Sequence, residues 1–424
     1  MKSNRLPAPA WVSAPASAAA AWCEVGLGLC ALLLMPLLAT VPHGIAPLAA
    51  FAGLCAAGLL AASRPLRLLR LGIPVVILAG LLLWGAVSAL WALDPARSLV
   101  LDLRLAGLFL TGLALVMAAD RIAAPWRIAL CLFAGSAIGI ALAAYDLLSA
   151  GGLTQFVSIR GFRPARLDQI AIGLAILLLP VSAILAIRGR RIAGLASAAV
   201  AGGFVLLLDG VSAQVGFVAS LPVMALLYWR PRGMARLAAA VSILFVLTAP
   251  LTLTKLERIP GLVAAADSFK SSAGHRLLIW SFVGERIAER PVLGWGLDAS
   301  RAIPGGNQEA RLGQNWLSLH PHDAPLQVWL ELGTPGAALF AALVALFWLR
   351  LDRLAGPRLY IAGAGGSLAA ALAPVFAAYG VWQEWWIGTL ALALFLIAVM
   401  GRAAAAAAPA ATPPRRRGSP ASGR

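Results

Sequence analysis

Residues 167–191 read Leu-Asp-Gln-Ile-Ala-Ile-Gly-Leu-Ala-Ile-Leu-Leu-Leu-Pro-Val-Ser-Ala-Ile-Leu-Ala-Ile-Arg-Gly-Arg-Arg. A mostly apolar run of about 20 residues matches the hydrocarbon thickness of a bilayer. The arginines that close it, Arg188, Arg190 and Arg191, mark a cytoplasmic boundary. Similar runs recur at about 20–41, 44–62, 72–92, 100–119, 126–149, 190–208, 213–229, 236–255, 323–349, 359–379 and 384–401. Together they predict an all-α integral membrane protein with about twelve transmembrane helices. The composition agrees, since 61% of the 424 residues are apolar and 12% charged. Soluble domains carry about twice that charge, so this chain cannot dress an aqueous surface. Cys23, Cys30, Cys55 and Cys131 all lie inside apolar runs, where they read as small hydrophobes rather than a disulfide frame or a metal site.

A net charge of +17 in a soluble protein would suggest nucleic-acid binding. Here the basic residues stand in short clusters between apolar runs, so no nucleic-acid partner is expected and the charges record topology instead. With Lys2 and Arg5 inside, alternate connections carry Arg64, Arg67 and Arg70; Arg121 and Arg127; Arg188, Arg190 and Arg191; Arg230, Arg232 and Arg236; and Arg350, Arg353 and Arg358. The tail adds Arg402, Arg415, Arg416, Arg417 and Arg424. These hold 21 of the 34 basic residues, which places both termini in the cytoplasm. The domain layout is then a polytopic membrane domain over 1–402, including a periplasmic loop at 256–322, and a disordered cytoplasmic tail over 403–424 near anionic membrane lipids.

The remaining basic residues lie outside, where that rule does not ask for them. Arg160, Arg163 and Arg166 precede the 167–187 span, and eight more lie in or at the edge of the 256–322 loop. Anion binding at the outer membrane surface is the natural cause. In the loop, Ser271 or Ser272 can cap an amphipathic helix from His275 to Arg290, with Ile279, Trp280, Phe282, Val283 and Ile287 on one face. Arg276 is expected in its first turn, beside free N–H groups that favour an anion. Arg286 and Arg290 read as interfacial residues. Pro291 ends the helix, and Gly294-Trp295-Gly296 reads as a turn leading back along the membrane surface.

The loop closes with His320-Pro-His322-Asp323-Ala-Pro325-Leu-Gln327-Val-Trp-Leu-Glu331-Leu-Gly333. Asp323 fits as a helix cap with Pro325 in the first turn. His322 then stands at the positive end of a helix, which keeps its ring neutral and able to accept a proton. His320 reads as a supporting residue. His-x-His also suggests a metal, but no third ligand accompanies it, so no metal or other cofactor is expected. Asp323, Gln327 and Glu331 form a polar stripe below the histidine, with Glu331 orienting partners rather than reacting.

These motifs resemble the O-antigen ligase and polymerase family of polytopic membrane glycosyltransferases (a GT-C-like architecture). The likeness is carried by Arg276-Leu-Leu-Ile-Trp280, Glu289-Arg-Pro-Val-Leu-Gly-Trp-Gly-Leu297 and the histidine motif, and it spans about 200–345. It implies a metal-independent transferase on the periplasmic side of the bacterial inner membrane. The donor would be a glycan on undecaprenyl diphosphate. The acceptor would be a hydroxyl of lipid-A core, a growing glycan or another molecule. By the same likeness, Arg276 would hold the diphosphate and His322 would activate the acceptor. The family commonly carries a Ser-Arg pair where this chain reads Ser212-Ala-Gln214, so Gln214 stands about where an arginine is expected. Either Arg160, Arg163 or Arg166 supplies that charge, or the chain is polymerase-like. The competing reading is a lipid-linked saccharide flippase or other transporter, which should place its charges at mid-membrane in broken helices.

Overall fold

Within hydrocarbon, every backbone N–H and C=O must be paired inside its own segment, so apolar runs of this length have the helix as their only open form. The computed structural model describes residues 17–63, 72–157, 164–317, 319–354 and 356–407. Its helices are α1 (Ala18–Thr40), α2 (Ile45–Ala62), α3 (Ile73–Ser88), α4 (Pro95–Ala119), α5 (Pro125–Leu148), the short α6 (Thr154–Val157), α7 (Asp168–Ile187), α8 (Arg191–Leu207), α9 (Val211–Trp229) and α10 (Pro231–Thr252). There follow α11 (Leu262–Phe269), α12 (Ser271–Glu289), α13 (Ala324–Leu349), α14 (Arg358–Ala377) and α15 (Glu384–Ala407). A two-stranded hairpin, β1 (Glu309–Arg311) with β2 (Gln314–Asn315), lies in the loop before α13.

Each of the twelve expected spans is a helix. Ten helices among the described residues are long and apolar enough to cross a bilayer. The other two, α3 and α8, have 16 and 17 residues and fall short of that length. The chain is a multi-pass membrane protein. Helix α14 packs against α9 and α7, α10 against α13, α1 against α5 and α2, and α15 against α4 and α2. The α1–α5 contact is close because of glycine. A Cβ on Gly135 would stand 2.2 Å from the Leu32 carbonyl oxygen, and one on Gly139 would stand 2.8 Å from the Met35 Cβ. These two glycines, one helical turn apart, let backbones touch where lipid supplies no hydrophobic drive.

Three boundaries differ from expectation. Helix α10 begins at Pro231, so Arg232 and Arg236 lie in its first turns rather than in a connection; proline at the first position sets that start. Helix α15 continues to Ala407, so 403–407 are helical and not part of the tail, as an alanine run favours. The rest of the tail, 408–424, lies outside the described residues, as do Lys2, Arg5, Arg64, Arg67 and Arg70.

The third concerns α13. The expected 323–349 span is broken at Gly333, whose φ of 61° and ψ of −157° are not helical, with Pro335 just beyond. The break strips three carbonyls of their helical partners; the 256–322 loop takes up two of them and α3 the third. Trp295 N donates to Leu330 O (2.9 Å), Gly296 N to Glu331 O (2.8 Å), and Trp84 Nε1 to Leu332 O (2.8 Å). The Gly294-Trp295-Gly296 turn therefore plugs a broken helix instead of running along the membrane surface. Only glycine fits at Gly333, because a Cβ there would lie 2.1 Å from the Val292 carbonyl oxygen.

Two reporter fusions test the orientation read from the arginines. A reporter at residue 233 is expected to report cytoplasm, and one at residue 300 periplasm. A cytoplasmic result at 300 would reverse the orientation and move the loop to the wrong side for any outer-face chemistry.

Candidate functional site

Helix α12 is amphipathic as expected, but its apolar face does not rest on lipid. Ile279, Phe282, Val283 and Ile287 join Trp295, Leu317, Leu326 and Leu330 in a small core of their own. That core locks the loop onto the first half of α13. The helix starts at Ser271 with Lys270 before it and no side-chain cap, so Ser271 and Ser272 are helical residues, not caps. Arg276 is consequently the sixth residue, in the second turn. Its fitness for an anion rests on its own guanidinium and not on free helix N–H groups. Arg286 pairs with Glu289 at 2.7 Å and Arg290 stacks over Trp295, so both serve the loop locally.

Arg276 and His322 meet at the C-terminal end of α14. Arg276 Nη1 donates to the Ala377 carbonyl oxygen at 2.6 Å, and His322 Nδ1 donates to the next carbonyl, Ala378 O, at 2.7 Å. Trp280, one turn beyond Arg276, donates from Nε1 to Pro321 O at 3.0 Å and ties α12 to the histidine segment directly. These bonds fix the chemistry of the ring. A neutral imidazole has one donor and one acceptor nitrogen. With Nδ1–H committed to a carbonyl, the lone pair is on Nε2. The backbone of His322 has φ of 60°, a left-handed conformation that costs a non-glycine residue on the order of 1 kcal/mol. Asp323 holds it there: its Oδ1 accepts from Leu326 N at 2.7 Å as the α13 cap, as the sequence suggested. Asp323 is completely buried and acts on the histidine by position.

His320 backs this arrangement. Its Nδ1 accepts the His322 backbone N–H at 3.2 Å, which leaves the proton on Nε2; the Gln383 amide stands 3.3 Å away and accepts that proton when turned with its oxygen toward the ring. The two imidazoles lie 4.3 Å apart between centroids. Burial pulls both rings down from the usual 6.5, His320 to about 3 and His322 to about 4. For His322 the Ala378 bond opposes this, while the charge of Arg276 adds to it. Both rings are therefore neutral at pH 7, the state expected for His322, though burial rather than the helix end is the main cause. Arg276 is also lowered by its burial, with Tyr379 and Asp168 close enough to offset part of the shift.

Below the histidines, Gln327 and Glu331 continue the polar stripe. Glu331 is fully buried, and its two oxygens accept from Asp298 N (2.8 Å), Ser300 Oγ, Gln327 Nε2 (3.0 Å) and Trp382 Nε1 (2.6 Å). It joins the 256–322 loop, α13 and the α14–α15 connection and has no lone pair to spare for chemistry, in line with an orienting role. Glu331→Ala would orphan four donors, the three buried ones each costing about 1–3 kcal/mol. We expect a large fall in the thermal midpoint of detergent-purified protein, and a milder fall for Glu331→Gln, which keeps an acceptor. Equal midpoints for Glu331→Ala and the unsubstituted protein would refute that role.

The other sequence candidates are placed more loosely. Arg166 reaches toward Thr40 O at 3.5 Å, with Nη1 buried and, among the described residues, unpartnered, just ahead of Asp168. Arg160 and Arg163 lie outside the described residues. Gln214 gives its amide hydrogens to Leu206 O (3.1 Å) and Leu208 O (2.7 Å), closing the end of α8. What sequence reasoning missed is the α14–α15 connection, residues 378–383, which carries Ala378, Tyr379, Trp382 and Gln383. The run Trp382-Gln-Glu-Trp-Trp386 was its one visible signal, aromatic and polar at the mouth of a span.

Against His320 and Gln383 lies a cavity of about 590 Å³, also lined by Arg97, Arg104, Asp298, Arg301, Trp382 and Trp385. Arg97 and Arg301 both bind Asp298, at 2.7 and 3.1 Å, and Arg104 binds Glu384 at 3.0 Å. Arginines, carboxylates and indoles at the mouth of one cavity are groups that suit sugar hydroxyls and ring faces.

Fold and site together define a multi-pass membrane protein with an arginine–histidine centre at one end of its helix bundle. Residues 196–341 of the chain match the family model of O-antigen ligases, nearly the segment in which the sequence motifs carried the resemblance. The chain is also similar to Rickettsia proteins provisionally named polysaccharide ligases. It is 35% identical to one from Rickettsia conorii over 144 residues, covering 30% of this chain and 32% of the relative. For Rickettsia felis the identity is 34% over 133 residues, again 30% and 32%; for Rickettsia prowazekii it is 37% over 120 residues, 27% and 29%. The chain thus spans about a third of the length of the curated relatives it matches.

Proposed function

We propose that this protein is a glycosyltransferase of the O-antigen ligase or polymerase type. It moves a glycan from undecaprenyl diphosphate to a hydroxyl acceptor at the periplasmic face of the bacterial inner membrane. The observation that carries this reading is the pinning of Arg276 and His322 to the consecutive carbonyls of Ala377 and Ala378. A fork for a diphosphate and an imidazole with a free Nε2 lone pair stand side by side. In the reaction, the acceptor oxygen attacks the anomeric carbon from the side opposite the diphosphate, with inversion. The C–O bond to the diphosphate breaks with its electron pair, which leaves on the phosphate oxygen. The hydroxyl proton passes to His322 Nε2. Arg276 neutralises the leaving group, so no divalent cation is needed. The donor, being lipid-anchored, comes sideways from the bilayer past α12 and α14. The lipid-A core, growing glycan or other hydroxyl acceptor comes from water through the arginine- and tryptophan-lined cavity beside His320. Gln214, with both donors occupied, is left out of donor binding.

A transporter would also show a broken helix, and α13 is broken. Its freed carbonyls, however, are taken by Trp295, Gly296 and Trp84, so this break does not offer them to a substrate or ion. The test is purified protein in vesicles with a lipid-linked glycan and a candidate acceptor. Joined product is expected. Movement of the lipid-linked glycan across the bilayer without joining would replace this reading by transport.

A further inference from the structure

At the end of the bundle opposite the histidines, the α9–α10 and α13–α14 hairpins enclose a second cavity of about 710 Å³. Arg230, Arg232 and Arg236 line it from the first hairpin and Arg358 from the second, while Leu349 and Ile361 give it an apolar wall backed by the buried Leu227 and Trp348. Trp348 is fixed in place by its Nε1 bond to Ser242 Oγ at 3.0 Å. The four arginines are exposed, and among the described residues their side chains are in no hydrogen bond or ion pair. Topology alone asks only that arginines lie on this side of the membrane. It does not ask that four from two hairpins converge on one hollow, where they repel one another.

We propose that this cavity binds an anionic phospholipid, its phosphate held by the four guanidiniums and an acyl chain laid along the Leu349 and Ile361 wall. Arginine forks match phosphate oxygens bidentately, and a single anion relieves the repulsion of all four. The apolar wall selects the source. Inorganic phosphate would satisfy the rim and leave the Leu349 and Ile361 wall wet, whereas a lipid satisfies both and is already present at this depth. The site lies a full span away from Arg276 and His322, so its occupancy is separate from transfer chemistry.

The test is native mass spectrometry of the full-length, detergent-purified protein titrated with phosphatidylglycerol, phosphatidylethanolamine or inorganic phosphate. Phosphatidylglycerol is expected to bind well above phosphatidylethanolamine. Arg230→Gln/Arg358→Gln, which removes one arginine from each hairpin, should weaken it on the order of thirtyfold. Arg232→Gln/Arg236→Gln provides a second pair should the first misfold. Arg190→Gln/Arg191→Gln lowers the charge of the same membrane face outside the cavity and should leave binding unchanged. Equal losses in the cavity and control variants would reduce the effect to general surface charge and overturn the site. Equal binding of the two lipids would do the same, and displacement of phosphatidylglycerol by micromolar inorganic phosphate would overturn the lipid assignment.

Discussion

Replacing His322 with alanine is expected to abolish glycan transfer while the protein stays folded and still binds its lipid-linked donor. Donor binding rests on Arg276, and a sugar hydroxyl is far too weak an acid to react unaided, so loss of the base should cost about 10²–10⁴ in rate. His322→Asn is the sharper variant. Asparagine tolerates the left-handed backbone and can still donate to Ala378 O, but it offers no base. His320→Ala should be milder, since His320 supports the His322 backbone without facing the acceptor proton. The pH profile carries a sign that can be worked out. The folded His322 titrates near 4, so kcat/KM, which reports the free enzyme, should stay level near neutrality and fall only as pH drops toward about 4. Stability should begin to fall earlier, below the ordinary 6.5. There the unfolded chain binds protons at His320 and His322 that the folded chain refuses. A bound diphosphate places negative charge beside the ring and raises its pKa, so kcat should break at a higher pH than kcat/KM. Chelator should leave the rate intact. Lost activity that zinc or magnesium restores would make His320 and His322 metal ligands and overturn the mechanism.

The reach of the sequence divides along a physical line. Properties that side chains announce were legible: the apolar runs that became helices, the cap at Asp323, the amphipathic face of α12, and the Arg276 and His322 motifs. Properties carried by backbone geometry were not. The carbonyls of Ala377 and Ala378, which bring the arginine and the histidine together, belong to alanines that no pattern singles out. The break in α13 was written as Gly333-Thr-Pro335, yet the hydropathy of the run is unbroken, so the span read as continuous. Its consequence, that Gly294-Trp295-Gly296 must come back and occupy the freed carbonyls, depends on a contact between segments some 35 residues apart in the sequence. The cause assigned to the lowered His322 pKa differed for the same reason. A helix end is visible in sequence, whereas burial is a property of the assembled fold.

Arg276 carries the other large effect. Arg276→Ala should lose on the order of 3 kcal/mol of transition-state stabilisation, about a hundredfold or more in kcat/KM, as removal of one strong electrostatic donor usually does. Arg276→Lys should also be damaging although the charge is kept. The guanidinium holds Ala377 O through one of its five N–H donors and has others to present to a diphosphate, while an ammonium on a flexible stem cannot hold both in fixed geometry. The contact with Ala377 brings a second cause to separate, the loosening of the carbonyl pair that also seats His322. Two measurements separate the causes. If Arg276 binds the diphosphate, donor affinity should fall in both variants, while the thermal midpoint stays near that of the unsubstituted protein and the pH profile of the residual activity is unchanged. If it acts only by seating the histidine, donor affinity should hold and the acid limb of the pH profile should move. Full activity of Arg276→Ala at normal expression would remove the diphosphate from this residue altogether. It would then pass to Arg166, whose buried Nη1, unpartnered among the described residues, lies just ahead of Asp168 at the N-terminal end of α7.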